Sequence, residues 1–283
     1  MHIIQSDFLD FKNIRHAFSM RSDGVSPYPW NSLNCSFFVG DKEVNVTRNK
    51  KKILSQLGFN NDFFLKQIHG NRIVNAEDFI GTKDVVEADG IICKTYNLPI
   101  SITTADCAPI LMADPKNNII GAAHAGWRGA LIGVVDNLIE QFRINGSDLD
   151  NIYGLIGPCI SKESFEVKTD MMEHALEKDM TSQNFFSSIN NNYFFDLSGY
   201  LKNRMEKIGL QNICCLSEDT YKNPDKFFSY RYETKNNHFV TGRMINIIGL
   251  FSNKKNKKFL ASSWGDCYQI NNSTRLLNEN CFL

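Results

Sequence analysis

The sequence predicts an α+β protein rich in short strands, and three observations support this. Apolar runs of four to six residues bounded by Gly, Pro, Asn or Asp recur along the chain, as at 108–113 (APILMA), and they read as buried strands. Longer stretches, 44–57 and 193–208, instead carry apolar residues at helical spacing. A hydrophobic fraction of 42% over 283 residues supports a substantial core. With no internal repeat and no Pro/Ser-rich linker, one domain over 1–250 is expected, followed by a C-terminal extension at 251–283.

Taken in order, 14–20 (IRHAFSM) is a strand candidate, and 21–31, rich in Gly, Pro, Ser and Asp, is a loop. Residues 33–40 lead into Asp41; the spacing of Val46, Ile53, Leu54 and Leu57 then predicts an amphipathic helix with its lysines toward water, ended by Gly58. Short strands are expected at 63–68, 72–75 and 91–93. A hairpin follows: 108–113 and 119–123 are apolar, and Asp114 to Asn118 supplies turn residues. Residues 130–142 (ALIGVVDNLIEQF) are a helix candidate. Beyond them come a strand at 152–156, a short element at 163–167, a helix at 168–178 and a polar loop at 181–192. A helix over 193–208 has Leu197, Leu201, Met205 and Ile208 as its core face, and a strand follows at 213–216.

The hairpin brings chemistry with it. Two strands joined by a turn return His124 to the neighbourhood of Cys107, so their 17-residue separation is a spatial pairing. Gly126 and Gly129 allow close backbone approach to a ligand or a sharp turn, and a helix starting there would aim free N–H groups at an anion. A cysteine and a histidine on apolar strands are by themselves equally consistent with core packing. His69, at the end of another strand-like stretch, adds a third donor. Two imidazoles and a thiolate suit zinc with a fourth position left for water or substrate. The same donors suit copper, with Met112 as an axial candidate, although Met112 sits inside a strand. Asp89 is read either as a partner holding a metal-bound imidazole or as an ordinary Asp-Gly turn. Asp106, beside Cys107, is a candidate proton carrier, but neighbours on a strand point to opposite faces.

Composition limits the partners. Lys+Arg and Asp+Glu are both 31, so no general field attracts nucleic acid or an anionic membrane, and a small ligand fits better. The N-terminus lacks the apolar core of a signal peptide and no long apolar segment occurs, so a cytoplasmic protein, monomeric or weakly homo-oligomeric, is expected. Eight cysteines without a C-x-x-C pair do not form a disulfide scaffold, and all but Cys107 read as reduced bystanders. The lysines at 254–258 read as a solvated turn.

QIHG (67–70), EADGIIC (87–93), TADCAPIL (104–111), HAGWRG (124–129) and IGPCI (156–160), in this order and spacing, resemble the YfiH-like or laccase-domain family. FFSYR (227–231) and TGR (241–243) match its closing pattern; Tyr232 departs from it, as many relatives carry arginine there. The resemblance implies a layered α/β/β/α mixed sandwich and zinc bound by His69, Cys107 and His124. It also implies phosphorolysis of purine nucleosides (adenosine, inosine, methylthioadenosine) with adenosine deamination; Cys107, His124 and Asp106 are then the catalytic candidates, and Arg48 (the arginine of the family's N-R motif), Gln67 and, by its position, Arg128 the candidates for nucleoside and phosphate.

Other readings stand beside this one. A copper polyphenol oxidase would need a three-copper cluster, and six histidines are too few to supply it. A metal-free cysteine hydrolase would use Cys107 and His124 as nucleophile and base and leave His69 without a duty. A non-enzymatic role in cell-wall editing is suggested by some relatives. The cytidine-deaminase signature H-x-E…P-C-x-x-C is absent, so any deamination would use a different scaffold.

Overall fold

Apolar residues on both faces of its central strands place two sheets back to back between helices. The computed structural model describes residues 3–82 and 84–252. Its strands are β1 (Ile3–Ile4), β2 (Ile14–Ser19), β3 (Phe63–Phe64), β4 (Ile73–Asn75), β5 (Gly90–Cys93), β6 (Ile100–Thr104) and β7 (Ala108–Asp114). They continue as β8 (Ile119–Ala125), β9 (Tyr153–Ile156), β10 (Glu166–Val167), β11 (Phe186–Ile189), β12 (Asn192–Phe195), β13 (Asn212–Cys215) and β14 (Met244–Leu250). The helices are α1 (Glu43–Gln56), α2 (Trp127–Leu131), α3 (Val134–Ile144), α4 (Thr169–Lys178), α5 (Leu197–Ile208) and α6 (Tyr230–Lys235). No described helix is long and apolar enough to cross a membrane.

One sheet has the order β1-β2-β14-β6-β3, the second β13-β9-β7-β8-β5-β4, and β10-β12-β11 form a small third. Between the large sheets, Ile14, Phe18, Ile102 and Ile248 meet Ile91, Leu111, Ile120 and Leu155. Residues of opposite parity on β7 and β8, such as Ile110, Met112 and Ala123, face outward and are covered by Leu138 and Phe142 of α3 and Leu201 and Met205 of α5. On the opposite side, Ile53 and Leu54 of α1 pack with Leu57 on Ala17, Ile245 and Ile247. The layers run α/β/β/α, as the resemblance implies. Because both faces of β7, β8 and β14 are covered, each is buried along its whole length, with no polar side turned to water.

The departures from the sequence expectation have local causes. The helix expected over 130–142 is two helices, because Gly133 at φ 88° occupies the left-handed region between α2 and α3. The helix expected from residue 193 begins at Leu197; the Asp196 carboxylate accepts from the N–H of Gly199, and the aromatic residues before it form β12. The expected polar loop contains β11, joined to β12 through Asn190 and Asn191 at φ 51° and 65°, the backbone a tight hairpin turn requires. Strand β14 was not among the expected elements, yet it lies between β2 and β6. Helix α1 does not turn all its lysines to water: Lys50 shares the inward stripe of Val46 and Ile53 and is 4% exposed, with Nζ 2.9 Å from Asp62 Oδ2 and 3.8 Å from the Phe64 ring centre. Residues 253–283, including the lysines at 254–258, lie outside the described residues.

Candidate metal centre and cavity

The antiparallel register of the central hairpin sets Pro109 opposite His124 and Ala108 opposite Ala125, so Cys107 and His124 emerge at the same end. The segment between β3 and β4 delivers His69 to this end, where its ring centre lies 4.8 Å from that of His124. The ligand atoms of His69, Cys107 and His124 all lie within 4.8 Å of one another, the one such group of three among the described residues. A Cβ on Gly126 would stand 3.1 Å from both Cys107 Sγ and His69 Cδ2, so a side chain here would press on two residues of the trio.

Asp89 ties the parts together. Its Oδ1 lies 2.8 Å from His124 Nδ1 and accepts from the N–H of His69, while Oδ2 accepts from the N–H groups of Ile68 and Gly70. Its main-chain carbonyl accepts from His124 N at 2.7 Å. Burial alone would raise this carboxyl; the bond to His124 and the backbone donors hold it below the usual carboxylate range. With Nδ1 committed to Asp89, His124 presents Nε2 to a metal. Of the two readings of Asp89 that the sequence allows, the structure favours the imidazole partner.

Burial by itself would push the Cys107 thiol up, but the imidazoles of His124 and His69 more than offset this and bring it down to about 6. For His124, burial lowers the pKa, while Cys107 and Asp89 together raise it to about 10. The trio thus favours the thiolate, the form that binds metal. Elsewhere burial dominates, lifting Cys35 to about 12 and Cys215 to about 11, which keeps them as inert thiols. All six described cysteines are unpaired.

A cavity of about 240 Å³ lies over the trio, with Ser36, Phe38, Gln67, Arg128, Tyr230 and Arg243 in its walls. The Gln67 amide is already engaged at both ends: Nε2 donates to Thr103 O at 2.8 Å, and Oε1 accepts from Thr103 N at 2.7 Å. It thereby clamps the His69 segment to β6. Arg128 stacks on Trp127, 4.2 Å from the ring centre. Arg48 is not brought to the site; it is exposed on α1 and does not line the cavity. Asp106 is also turned away. At φ 86° and fully buried, it accepts from Thr220 Oγ1 and from Arg231 N, both at 2.7 Å, and burial raises its pKa. Met112 is fully buried in the helix-side core, away from the cavity.

Arg243 is the residue that reasoning from the sequence left without a role. Its Nη1 donates to the carbonyls of Thr241 and Gly242, and burial lowers its pKa while Cys107 and Asp106 act the other way. The closing T-G-R pattern was the only signal for it, since nothing in the local spacing links residue 243 to residue 107.

The family model described as multi-copper polyphenol oxidoreductase laccase matches residues 15–251. A Rickettsia conorii protein named purine nucleoside phosphorylase is 37% identical over 191 residues, 67% of this chain and 78% of that protein. The Escherichia coli purine nucleoside phosphorylase YfiH is 29% identical over 84% of this chain and 95% of its own length. Among solved structures, a Neisseria meningitidis protein superposes with a TM-score of 0.80 at 29% identity, covering 89% of this chain and 100% of that one. The chain belongs to the YfiH-like, laccase-domain family.

Proposed function

We propose that the protein is a zinc-dependent purine nucleoside phosphorylase that acts on adenosine, inosine and methylthioadenosine and also deaminates adenosine. The observation that carries this is the convergence of His69, Cys107 and His124 beneath a cavity that Arg128 and Arg243 help to wall. Relatives named purine nucleoside phosphorylase support it. The donor set of one thiolate and two imidazoles fits zinc with one position to spare, and a Gly126 without a side chain suits a tight site. Bound there, zinc would supply Lewis-acid polarisation of an oxygen or activation of water.

The chain's own residues do the remaining work. Asp89 fixes the tautomer and orientation of His124. Arg128 and Arg243 offer guanidinium groups to a phosphate oxyanion, and the cavity walls hold nucleoside and anion in one orientation. Arg48 on its exposed helix takes no part in this reading, and Asp106, whose carboxylate accepts from Thr220 and from the N–H of Arg231, does not act on substrate.

Metal-quantified protein incubated with inosine should release hypoxanthine and ribose 1-phosphate only when phosphate is present, whereas adenosine deamination should not need phosphate. Equal hypoxanthine release in phosphate-free buffer, with free ribose as product, overturns the phosphorylase and leaves a hydrolase. A second reading has one observation in its favour: Asp89, His124 and Cys107 also form the carboxylate–imidazole–thiol chain of a cysteine hydrolase. His69→Ala separates the two, since it removes a metal ligand in the first and a bystander in the second.

A further inference from the structure

A second cleft, of about 510 Å³, shares with the metal cavity the wall formed by Trp127 and Arg128. The metal cavity, at about 240 Å³, is smaller than the roughly 300–1,000 Å³ of ordinary ligand pockets, and its neighbour is the larger of the two. Phe165, Val167 and Met171 give the cleft apolar surface, and four cations, Arg128, Lys168, Arg231 and Lys235, face two acids, Glu166 and Asp170. One acid is already used: Lys235 Nζ lies 2.6 Å from Glu166 Oε2. Arg231 is held in place by donating Nη1 to the Glu166 carbonyl at 2.6 Å, with its guanidinium carbon 5.4 Å from the Phe165 ring centre. Arg231 and the exposed Lys168 thus set positive charge beside an aromatic and aliphatic surface, which suits an anionic group carried on a larger organic molecule.

We infer that this cleft extends the substrate site and takes a phosphoryl group borne by the nucleoside, making nucleoside monophosphates ligands of the enzyme. The inference rests on the purine nucleoside reading above. Inorganic phosphate shares the charge but would leave the apolar surface and most of the volume unused. Lys168 is exposed and outside the metal cavity, so it reports on the cleft alone.

The test is binding of adenosine 5′-monophosphate, adenosine and inorganic phosphate, each measured by titration calorimetry on metal-loaded wild type and on Lys168→Glu, with adenosine turnover followed in the same preparations. The nucleotide is expected to bind wild type about tenfold more tightly than adenosine, and Lys168→Glu to remove about that factor while leaving adenosine binding and turnover unchanged. Nucleotide binding no tighter than adenosine, equal weakening of both by Lys168→Glu, or a Lys168 dependence carried wholly by inorganic phosphate overturns the inference. Lys168-dependent nucleotide binding without any adenosine turnover would remove the proposed activity and keep the cleft; intact turnover without a nucleotide preference would do the reverse.

Discussion

At the residue scale, Asp89 holds the segments that carry His69 and His124 at once, with its carboxylate fully buried. Removing it leaves three backbone N–H groups and the buried His124 imidazole without their acceptor. Asp89→Ala is therefore expected to cost about 3–5 kcal/mol in a urea unfolding curve and to weaken metal binding by roughly 10–100-fold. Its partner lies 35 residues along the chain, so the sequence offered only an Asp-Gly pair that reads equally as a turn. Cys107→Ala and His124→Ala, by contrast, should lose metal and activity while far-UV structure is kept; loss of soluble protein with metal retained would make them structural. His16 supplies a pH dependence. Buried, with Nε2 accepting from the N–H of Ser6, its pKa falls from 6.5 to about 4, mainly through burial and against a small opposing effect of Asp10. The unfolded chain then binds a proton that the folded one refuses, so this contribution is complete above pH 6.5 and is lost as pH falls toward 4. His16→Gln should flatten the stability profile over that window in denaturant titrations, and an unchanged slope would show that other groups govern it.

At the element scale, the hairpin of β7 and β8 was legible because apolar runs of strand length flank unmistakable turn residues. That reading also located Cys107 and His124. The hairpin of β11 and β12 was not legible: its turn is Asn190-Asn191, whose capacity for left-handed backbone is hidden in a stretch that, Phe185, Phe186 and Ile189 apart, is polar. Asp106 was judged by strand alternation, but at φ 86° it precedes β7 in a bend, where alternation does not apply. Gly126 joins β8 to α2, and a Cβ there would crowd Cys107 Sγ and the His69 ring. Gly126→Ala should therefore leave the fold intact and reduce metal occupancy by elemental analysis, the Cβ having to displace Sγ or the His69 ring. Full occupancy in that variant would show that the donors can retreat without loss.

At the scale of the whole molecule, the layered arrangement came from the resemblance, while composition and periodicity reached only a mixed protein with many strands. Which strands neighbour each other depends on pairings across more than 140 residues, such as Ile102 with Asn246, and no local pattern encodes them. The three donors arise from three separated segments, so a bound metal stabilises the folded state by mass action; chelation should lower the melting temperature, and a saturating metal raise it in proportion to the logarithm of its concentration. An identical melting curve with and without chelator would mean that these segments are held without the ion.

Strand β14 has one more consequence, for the order in which the polypeptide is made. Within its sheet, β6, which runs to Thr104 just ahead of Cys107, pairs over two residues with β3 and over five with β14. Ribosomal synthesis delivers His69, Cys107 and His124 long before residues 244–250 emerge. A nascent chain therefore carries every donor while the strand leading to one of them lacks its longer partner, and Arg243 reaches the cavity only as β14 enters the sheet between β2 and β6.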